Sequence, residues 1–438
     1  MCGITGFVGF SDKRLIKKMT DSIKHRGPDG CGYYINDSVC LGHRRLSIID
    51  TSTGDQPMYN EEGDVVVVFN GEIYNYLELR KNLSAKKHKF KSNSDTEVLV
   101  HLWEEYGKDM VKKLRGMFAF AIWDDSKKVL FTARDHIGIK PFYYCFNDKV
   151  LVFASEIKAI LKWEGYDKSV DRRSLNDYLA FGYVSGEKTM FSGVKKLLPG
   201  HCMMFRNGKV DIKKYWKPEF SESVKNENVA VSTLNKLFDE SVKIRLMSDV
   251  PFGAFLSGGV DSSLIVAMMS KHMDEPVKTF SVGFGEADDE LPYARLVADK
   301  FGTDHTEKIV EPDDLLKHIG SIIKLNDDCV VDPAMLPTYV ISKVASRRVK
   351  MVLSGEGGDE NFGGYERYGI LEKPWFAPRS LRFLRYRMMI TLIRDKERKM
   401  LLQGVGYHPE GQVMRPFISG NKLNDVLSFE QKTYLPDD

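Results

Sequence analysis

The sequence predicts two domains: a strand-rich α+β domain, followed by an α/β domain built on a doubly wound parallel sheet. Three observations support this prediction. Short apolar runs bounded by turn residues dominate the first half, a polar and aperiodic segment follows at 217–228, and beyond it strands alternate with helices. A chain of 438 residues is long enough for two or three sizeable cores.

The first half contains three runs typical of buried strands: VVVVF (65–69), VLFTA (129–133) and LVFA (151–154). Between them, DTEVLVHLWEEYG (95–107) has the apolar spacing of a helix and ends at a glycine, which favours helix termination. We therefore expect strands and helices to share one core in this half.

The second half repeats a strand–loop–helix rhythm. FGAFL (252–256) precedes a glycine loop and the helical run SSLIVAMMS (262–270), and two further strands are predicted at VKTFSVGF (277–284) and VKMVL (349–353). Strands that alternate with helices predict a parallel sheet with helices on its faces.

Charge and composition exclude several classes of partner. Sixty-four basic and sixty-one acidic residues give a net charge of +3, which offers no electrostatic argument for nucleic acid. No apolar run approaches the roughly 18 residues of a membrane-spanning helix, and no signal peptide is recognisable, so no membrane partner is expected. Six scattered cysteines without metal-ligand spacing predict reduced thiols, a cytoplasmic location and no zinc site.

The glycine loop in FLSGGVDSSL (255–264) follows a strand and opens a helix, where backbone N–H groups and the helix dipole bind phosphate. Gly258 and Gly259 allow close approach to an anion, and the carboxylate of Asp261 suits magnesium. The loop also supplies three hydroxyl donors: Ser257, Ser262 and Ser263. The lysine of a kinase- or GTPase-type loop is missing. The alternative is a helix N-cap preceded by a flexible glycine pair.

A second glycine cluster, LSGEGGDENFGGY (353–365), also follows a predicted strand. The carboxyl ends of parallel strands form the ligand crevice of an open sheet, so both loops are expected to face one pocket. Glu356, Asp359 and Glu360 suit a magnesium bridge or a group acting on a charged intermediate. A solvated turn is the alternative.

The opening MCGITGF places a cysteine directly after the initiator methionine. Removal of Met1 would leave the thiol of Cys2 beside a free α-amine, whose ordinary pKa of roughly 7.7–8.0 suits a general base. A cysteine–histidine pair with His25 or His43 is the alternative, which we rank lower than the α-amine.

These and further motifs carry a resemblance to a known family. Five segments resemble class II glutamine amidotransferases, which have an N-terminal nucleophile: MCGITGF (1–7), HRGPDG (25–30), GHRRLSIID (42–50), FNGEIYNY (69–76) and SDTEV (94–98). Three others resemble the ATP-pyrophosphatase domain of glutamine-hydrolysing asparagine synthetases: SGGVDSS (257–263), DPAMLPTY (332–339) and SGEGGDE (354–360). The resemblance implies an αββα N-terminal-nucleophile sandwich over 2–210 and the ATP-pyrophosphatase domain over 229–438.

For the first domain, the resemblance implies a glutaminase with Cys2 as nucleophile and with Asn70 and Gly71 as oxyanion donors. Arg45 matches the residue that holds the glutamine carboxylate, and Asp95, with Glu72 beside it, matches the partner of the α-ammonium group. The loop that completes the glutamine site comprises Leu46, Ser47, Ile48 and Ile49. Taken singly, the charged residues could be surface groups, and Asn70-Gly71 could form a hairpin turn.

For the second domain, the resemblance implies that ATP and aspartate give β-aspartyl-AMP and pyrophosphate, and that ammonia captures this intermediate. The nucleotide-contacting positions are Leu256, Ser257, Gly258, Gly259, Asp261, Ser262, Ser263, Val282, Ser354 and Gly355. Glu356 matches the acidic residue at the intermediate, and Asp261 and Asp359 are the expected ligands of Mg²⁺. The expected assembly is a homodimer.

Two features depart from the family pattern. The chain ends at Asp438, where the family usually continues, so we expect the second domain to be C-terminally incomplete. The basic segment 379–399 predicts a helix packed by one face with solvated arginines, or a helix on a membrane surface. Two other functions stay open: an amidotransferase for another carboxylate acceptor, as in surface-polysaccharide synthesis, and a non-catalytic glutamine-sensing protein.

Overall fold

The computed structural model of the protein describes residues 1–219, 224–286, 289–369, 379–409 and 423–437. The chain forms two compact units. The first comprises residues 1–218 and 327–331 together with the described residues after 364, and the second comprises the described residues of 219–326 and 332–364. The described residues of 365–437, which the sequence assigns to the second domain, thus lie by their contacts in the first unit.

The first unit contains two six-stranded antiparallel sheets. In spatial order, the first sheet consists of β10 (Lys195–Lys196), β8 (Tyr143–Asn147), β9 (Val150–Ala154), β1 (Gly3–Val8), β3 (Val39–Arg45) and β2 (Gly30–Ile35). The second consists of β12 (Lys209–Lys214), β11 (His201–Arg206), β7 (Val129–Arg134), β6 (Gly116–Asp124), β5 (Val65–Ile73) and β4 (Met58–Tyr59).

The two sheets pack face to face, and helices cover their outer faces. Successive side chains of a strand point to opposite faces. In β5, Val66 and Val68 therefore join the core between the sheets, whereas Val65, Val67 and Phe69 pack against helices.

The helices of this unit complete the layers. The helices α2 (Tyr76–Ala85) and α3 (Val98–Tyr106) cover the second sheet, and α1 (Lys13–Ser22) and α4 (Ile157–Ile160) cover the first. The helix–sheet–sheet–helix order confirms the predicted αββα sandwich. The unit also contains α5 (Arg172–Phe181).

The predicted elements of the first half are confirmed, and the bounds of two of them are corrected. The run 65–69 is a strand, but β5 continues through Asn70 and Gly71 to Ile73. These two residues therefore lie within a paired strand, neither at its end nor in a hairpin turn. The helix predicted over 95–107 begins at Val98 and ends at Tyr106. After it, Gly107 adopts a φ of 51° and its N–H donates to the carbonyl of Trp103.

The second unit contains a four-stranded parallel sheet. Its spatial order is β15 (Asp304–Ile309), β14 (Lys278–Gly283), β13 (Phe252–Phe255) and β16 (Met351–Leu353). The helices are α6 (Glu227–Ile244), α7 (Val260–His272), α8 (Leu291–Phe301), α9 (Pro312–Leu325), α10 (Met335–Ala345) and the short α11 (Gly358–Phe362).

Two separate cores flank this parallel sheet. Ala254 of β13 packs with α7 and α8 through residues such as Val266 and Ala294. Phe280 of β14 packs in the other core with Ile341 of α10. Helices on both faces confirm the doubly wound arrangement.

The basic segment differs from its prediction. It forms two helices, α12 (Arg379–Ile390) and α13 (Asp395–Leu401), and α14 (Leu423–Glu430) and α15 (Tyr434–Asp437) follow. The prediction of solvated arginines is wrong for Arg398, which is fully buried. Its guanidinium donates to the carbonyl of Ile393 at 2.6 Å and to Asn176 Oδ1 at 3.3 Å, and it pairs with Asp395. Over the described part of the chain, no helix combines the length and the apolar character needed to cross a membrane.

Candidate active sites

Cys2 lies directly before β1, and the pairing of β1 with β3 brings it to the loop after β3. Its Sγ accepts a hydrogen bond from the backbone N–H of Leu46 at 3.3 Å. Its carbonyl accepts a hydrogen bond from Arg26 Nε at 2.9 Å. The thiol and the main chain of Cys2 are therefore both fixed by neighbouring segments.

The electrostatic surroundings of the N-terminus favour an uncharged amine. The loss of surrounding water, together with the positive charges of Arg26 and Lys140 and against the negative charges of Cys2 and Glu72, lowers the pKa of the Met1 amino group to about 5. Desolvation raises the pKa of the Cys2 thiol, while the Leu46 N–H and the positive charges nearby oppose this shift. At neutral pH the amino group of Met1 is thus uncharged and can accept a proton.

Asn70 is an unusual buried residue of β5. Its side chain is 1% exposed, and neither its amide nitrogen nor its amide oxygen has a hydrogen-bond partner among the described residues. Buried amides are nearly always paired, so the Asn70 amide is expected to pair with a group outside the protein, either water or a ligand.

Gly71 follows Asn70 where β5 and β6 approach closely. It lies opposite Phe118, and a Cβ atom at this position would sit 2.1 Å from the carbonyl oxygen of Met117. Only glycine fits this strand pairing, because backbone atoms cannot move aside as a flexible side chain does.

Two buried acids lie at the end of β5. Asp95 Oδ2 accepts a hydrogen bond from the Ile73 N–H at 2.8 Å. Burial raises the pKa of Asp95 to about 6, although this and other hydrogen bonds lower it. Glu72 is 5% exposed, and its negative charge raises the pKa of Lys140 and of the Met1 amine. The charge on Asp95 in turn raises the pKa of Cys2. The structure thus gathers both acids around the N-terminus.

Arg45 ends β3 and holds the loop that follows it. Its Nη1 donates to Asp55 Oδ1 at 2.8 Å, and its Nη2 donates to the carbonyls of Asp50 at 2.5 Å and Ile49 at 3.4 Å. Three of its five N–H groups therefore meet acceptors among the described residues. The enclosed loop is half-buried and comprises Leu46, Ser47, Ile48 and Ile49.

The two histidines do not pair with the thiol. His43 is buried and donates from Nε2 to the carbonyl of Phe69 at 3.1 Å, and desolvation lowers its pKa to about 3. His25 Nε2 lies 2.9 Å from a carboxylate oxygen of Glu156. Both histidines connect segments of the first unit, and their contacts do not support a cysteine–histidine dyad.

Sequence reasoning missed one buried residue at this site. The Nζ of Lys140 lies 3.2 Å from the Sδ of Met1, and its side chain is largely buried. Burial lowers the pKa of Lys140, which the charge of Glu72 opposes. A single lysine in a loop gives no sequence signal, because only the fold brings it to the N-terminus.

The first glycine loop of the second unit follows β13. Leu256 is buried and its N–H donates to the carbonyl of Phe280 at 2.9 Å. Gly258 has a φ of 88°, and a Cβ there would lie 2.6 Å from the backbone nitrogen of Ala294. Gly259 is the N-cap of α7 and has no side-chain capping bond, so the first N–H groups of the helix stay available to an anion.

The hydroxyl groups of this loop brace its turn. Ser257 Oγ lies 3.0 Å from Ser262 Oγ and accepts the Gly259 N–H at 3.2 Å. Ser262 and Ser263 both donate to the carbonyl of Gly259, at 3.2 and 2.6 Å. The loop therefore has a defined shape.

The second glycine cluster adjoins the first, as predicted. It follows β16, which pairs with β13. A Cβ on Gly355 would lie 2.9 Å from the Cβ of Asp261, and one on Gly358 would lie 2.5 Å from Asp261 Oδ2. Ser354 is exposed at the end of β16, and Val282 is half-buried near the carboxyl end of β14. The predicted nucleotide positions thus gather at the carboxyl ends of three adjacent strands.

The acids of the second cluster differ in their surroundings. Glu356 is exposed in the loop, whereas Glu360 is buried in α11. Asp359 is half-buried, and its carboxylate lies against the backbone of Gly364, where an added Cβ would be 1.9 Å from Oδ1. Asp261, in the first turn of α7, is half-buried and lies against Gly355 and Gly358 of the second cluster.

Comparison with known proteins gives two family matches. A family model described as a glutamine amidotransferase domain matches residues 1–216, and one described as asparagine synthase matches residues 233–435.

Curated relatives match most of the chain. The glutamine-hydrolysing asparagine synthetase 1 of Bacillus subtilis is 39% identical over 420 residues, which cover 94% of this chain and 64% of that protein. A putative glutamine-hydrolysing asparagine synthetase 2 of Methanocaldococcus jannaschii is 38% identical over 392 residues, covering 83% of this chain and 76% of that protein. The chain therefore spans less than two thirds of the length of the Bacillus relative.

Proposed function

This chain belongs to the family of glutamine-hydrolysing asparagine synthetases, and we propose that it makes asparagine from aspartate with nitrogen released from glutamine. The observation that most supports the first half-reaction is the buried amide of Asn70, unpaired among the described residues, on a strand that contacts β1. Cys2, immediately before β1, supplies a thiol in a desolvated site.

In the proposed glutaminase reaction, the Cys2 sulfur attacks the side-chain carbonyl carbon of glutamine. The α-amine that Met1 removal exposes accepts the thiol proton and returns it to the leaving ammonia. The Asn70 amide and the Gly71 N–H stabilise the oxyanion that forms on the carbonyl oxygen. Water then releases glutamate from the thioester and restores the thiol.

Charged residues would hold the other end of glutamine. The remaining N–H groups of Arg45 suit the planar α-carboxylate, with the loop from Leu46 to Ile49 around it. Asp95, with Glu72 beside it, supplies negative charge for the α-ammonium group. Binding a cation there would favour the ionised form of Asp95, whose pKa of about 6 lies near neutrality.

In the second half-reaction, we propose that a carboxylate oxygen of aspartate attacks the α-phosphorus of ATP. Pyrophosphate leaves, and ammonia then displaces AMP from the acyl carbon. The loop from Ser257 to Ser263 would hold the phosphates through backbone N–H groups, with Leu256, Val282, Ser354 and Gly355 around the nucleotide. Glu356 is the proposed acidic residue at the intermediate.

Asp261 and Asp359 are the proposed magnesium ligands. The fit is direct for Asp261, because its hard carboxylate oxygens lie where the two glycine loops meet. When bound, magnesium would neutralise phosphate charge. The functional domain boundaries 2–210 and 229–438, a homodimer and a cytoplasmic location remain predictions; the six free thiols agree with a reducing compartment.

Active protein is expected to lack Met1, because the proposed base is the α-amine of Cys2. Mass spectrometry of the intact protein, combined with a glutaminase assay on the same sample, checks this. Full glutaminase activity in protein that retains Met1 would refute the N-terminal mechanism.

The complete reaction is tested by incubating the protein with ATP, aspartate and glutamine labelled with ¹⁵N in its side-chain amide. The expected products are glutamate, AMP, pyrophosphate and asparagine that carries the label in its amide, separated by chromatography and identified by mass. Consumption of glutamine without labelled asparagine would contradict the proposed acceptor.

A further inference from the structure

A cluster of histidine and glutamate side chains lies in the first unit, outside the glutaminase residues. It consists of Glu61, His88, His101 and Glu104, whose ligand atoms all lie within 4.8 Å of one another. Glu61 lies between β4 and β5, His88 follows α2, and the other two lie one turn apart on α3. Three separate segments thus converge on one point.

Four nitrogen–oxygen distances in this cluster, which reach both oxygens of Glu61, lie within about 0.1 Å of the edge lengths of a small tetrahedron. His88 Nδ1 lies 3.4 Å from Glu61 Oε1 and 3.7 Å from Glu104 Oε2. His101 Nδ1 lies 3.3 Å from Glu61 Oε2 and 3.2 Å from Glu104 Oε2. A tetrahedral ion with bonds of about 2.0–2.2 Å separates its ligands by about 3.3–3.6 Å.

Backbone and amide donors hold both carboxylates in place. The Lys89 N–H donates to Glu61 Oε1 at 2.8 Å, and Asn60 Nδ2 donates to Glu104 Oε1 at 2.8 Å. The second oxygen of Glu104 is thereby directed at both imidazole rings. This support fixes the donor atoms before any ion arrives.

A carboxylate lies near the other ring nitrogen of each histidine, but only the one beside His88 is at hydrogen-bond distance. His88 Nε2 lies 3.1 Å from Glu105 Oε1, and His101 Nε2 lies 3.9 Å from Glu97 Oε1. Glu97 is itself fixed by the N–H groups of Lys91 and Ser92, at 2.7 and 2.8 Å. Carboxylates behind the histidines are the usual outer partners of a metal-bound imidazole, since they set the tautomer and raise its basicity.

We propose that Glu61, His88, His101 and Glu104 bind one divalent transition-metal ion, with Zn²⁺ as the preferred occupant. Two neutral imidazoles and two carboxylates balance its double charge, and this nitrogen–oxygen donor set with tetrahedral spacing suits zinc. His88 and His101 flank the segment 89–100, which carries Asp95. The bound ion would therefore fix both ends of the segment that carries Asp95, the proposed partner of the glutamine ammonium group.

The site is tested on the full-length chain after metal removal with a chelator. Co²⁺ serves as the probe, because tetrahedral cobalt absorbs visible light and a thiolate ligand adds a near-ultraviolet band. We expect one equivalent to bind with the tetrahedral spectrum and without the thiolate band, and Zn²⁺ to displace it. Zn²⁺ should also raise the melting temperature of the wild-type protein.

Matched variants locate the ion. His88→Gln and Glu104→Gln should each weaken Co²⁺ binding by more than about 100-fold, and Glu105→Gln by about 10- to 100-fold. His272→Gln is the control, since His272 pairs with Asp239 on α6, outside the cluster. His88 and Glu104 are chosen because His101 is fully buried, so its replacement could unfold the domain. Circular dichroism confirms that each variant is folded.

Three results would overturn the proposal. These are no stoichiometric Co²⁺ binding by the wild-type chain, a spectrum with thiolate character, or unchanged affinity in folded His88→Gln and Glu104→Gln proteins. The last result would show that Glu61, His88, His101 and Glu104 form a network of protonated ion pairs and bind no metal ion.

Discussion

Replacing Cys2 with alanine is expected to abolish glutamine hydrolysis. The proposed mechanism forms a covalent thioester on this sulfur, and alanine offers no nucleophile. Loss of the nucleophile costs on the order of 10⁶ in kcat in a serine protease, so we expect glutaminase activity below about 1% of wild type. Release of glutamate from glutamine, measured on folded protein, gives the result.

The matched control is Cys31→Ala, which removes an exposed free thiol from β2 and should leave hydrolysis unchanged. Nucleotide binding by Cys2→Ala should also persist, because the proposed nucleotide residues lie in the second unit. Glutaminase activity above a few per cent in Cys2→Ala would show that another group is the nucleophile.

Replacing Asp261 with alanine is expected to suppress the formation of AMP and pyrophosphate while glutaminase activity remains measurable. This carboxylate lies in the first turn of α7, against Gly355 and Gly358 of the second cluster, so its loss alters the charge of the proposed phosphate site directly. Charge stabilisation of several kcal/mol at a transferring phosphoryl group predicts a loss of about 10²-fold or more. Chromatography of the nucleotide products, with aspartate and ammonia supplied, measures it.

Asp274→Ala is the control for this experiment, because Asp274 is an exposed carboxylate just after α7. It should give wild-type amounts of AMP. ADP as the main product of the wild-type protein would contradict the assignment of the loop to adenylation, and so would an Asp261→Ala protein that forms AMP at the wild-type rate.

Local sequence patterns predicted the layers of both units well. Val65 to Phe69 form an apolar run because their side chains alternate between two cores, so strand formation follows from composition alone. The extension of β5 through Asn70 and Gly71 was not predictable in this way, because an Asn-Gly pair favours turns. Pairing with β6 overrides that preference.

Contacts between residues that are far apart in the sequence could not be predicted from local sequence patterns. Lys140 reaches the N-terminus only through the fold, and Arg398 is buried because Asn176 and Ile393 offer it acceptors. Because the cysteines lack metal-ligand spacing, the sequence predicted that the protein has no zinc site. Glu61 and His88 belong to different loops, so spacing along the chain does not indicate the cluster they form with α3.

The unpaired amide of Asn70 has a consequence for the folding energetics of the first unit. A buried polar group without a partner costs about 1–3 kcal/mol of folding free energy. Within the described residues, Asn70 leaves both a donor and an acceptor in this condition. An apolar residue of similar shape would avoid this cost, so the proposed glutamine site is expected to lower the stability of the first unit. If glutamine binds there as proposed, its carbonyl oxygen accepts a hydrogen bond from the Asn70 amide, and glutamine is expected to raise the melting temperature of this domain.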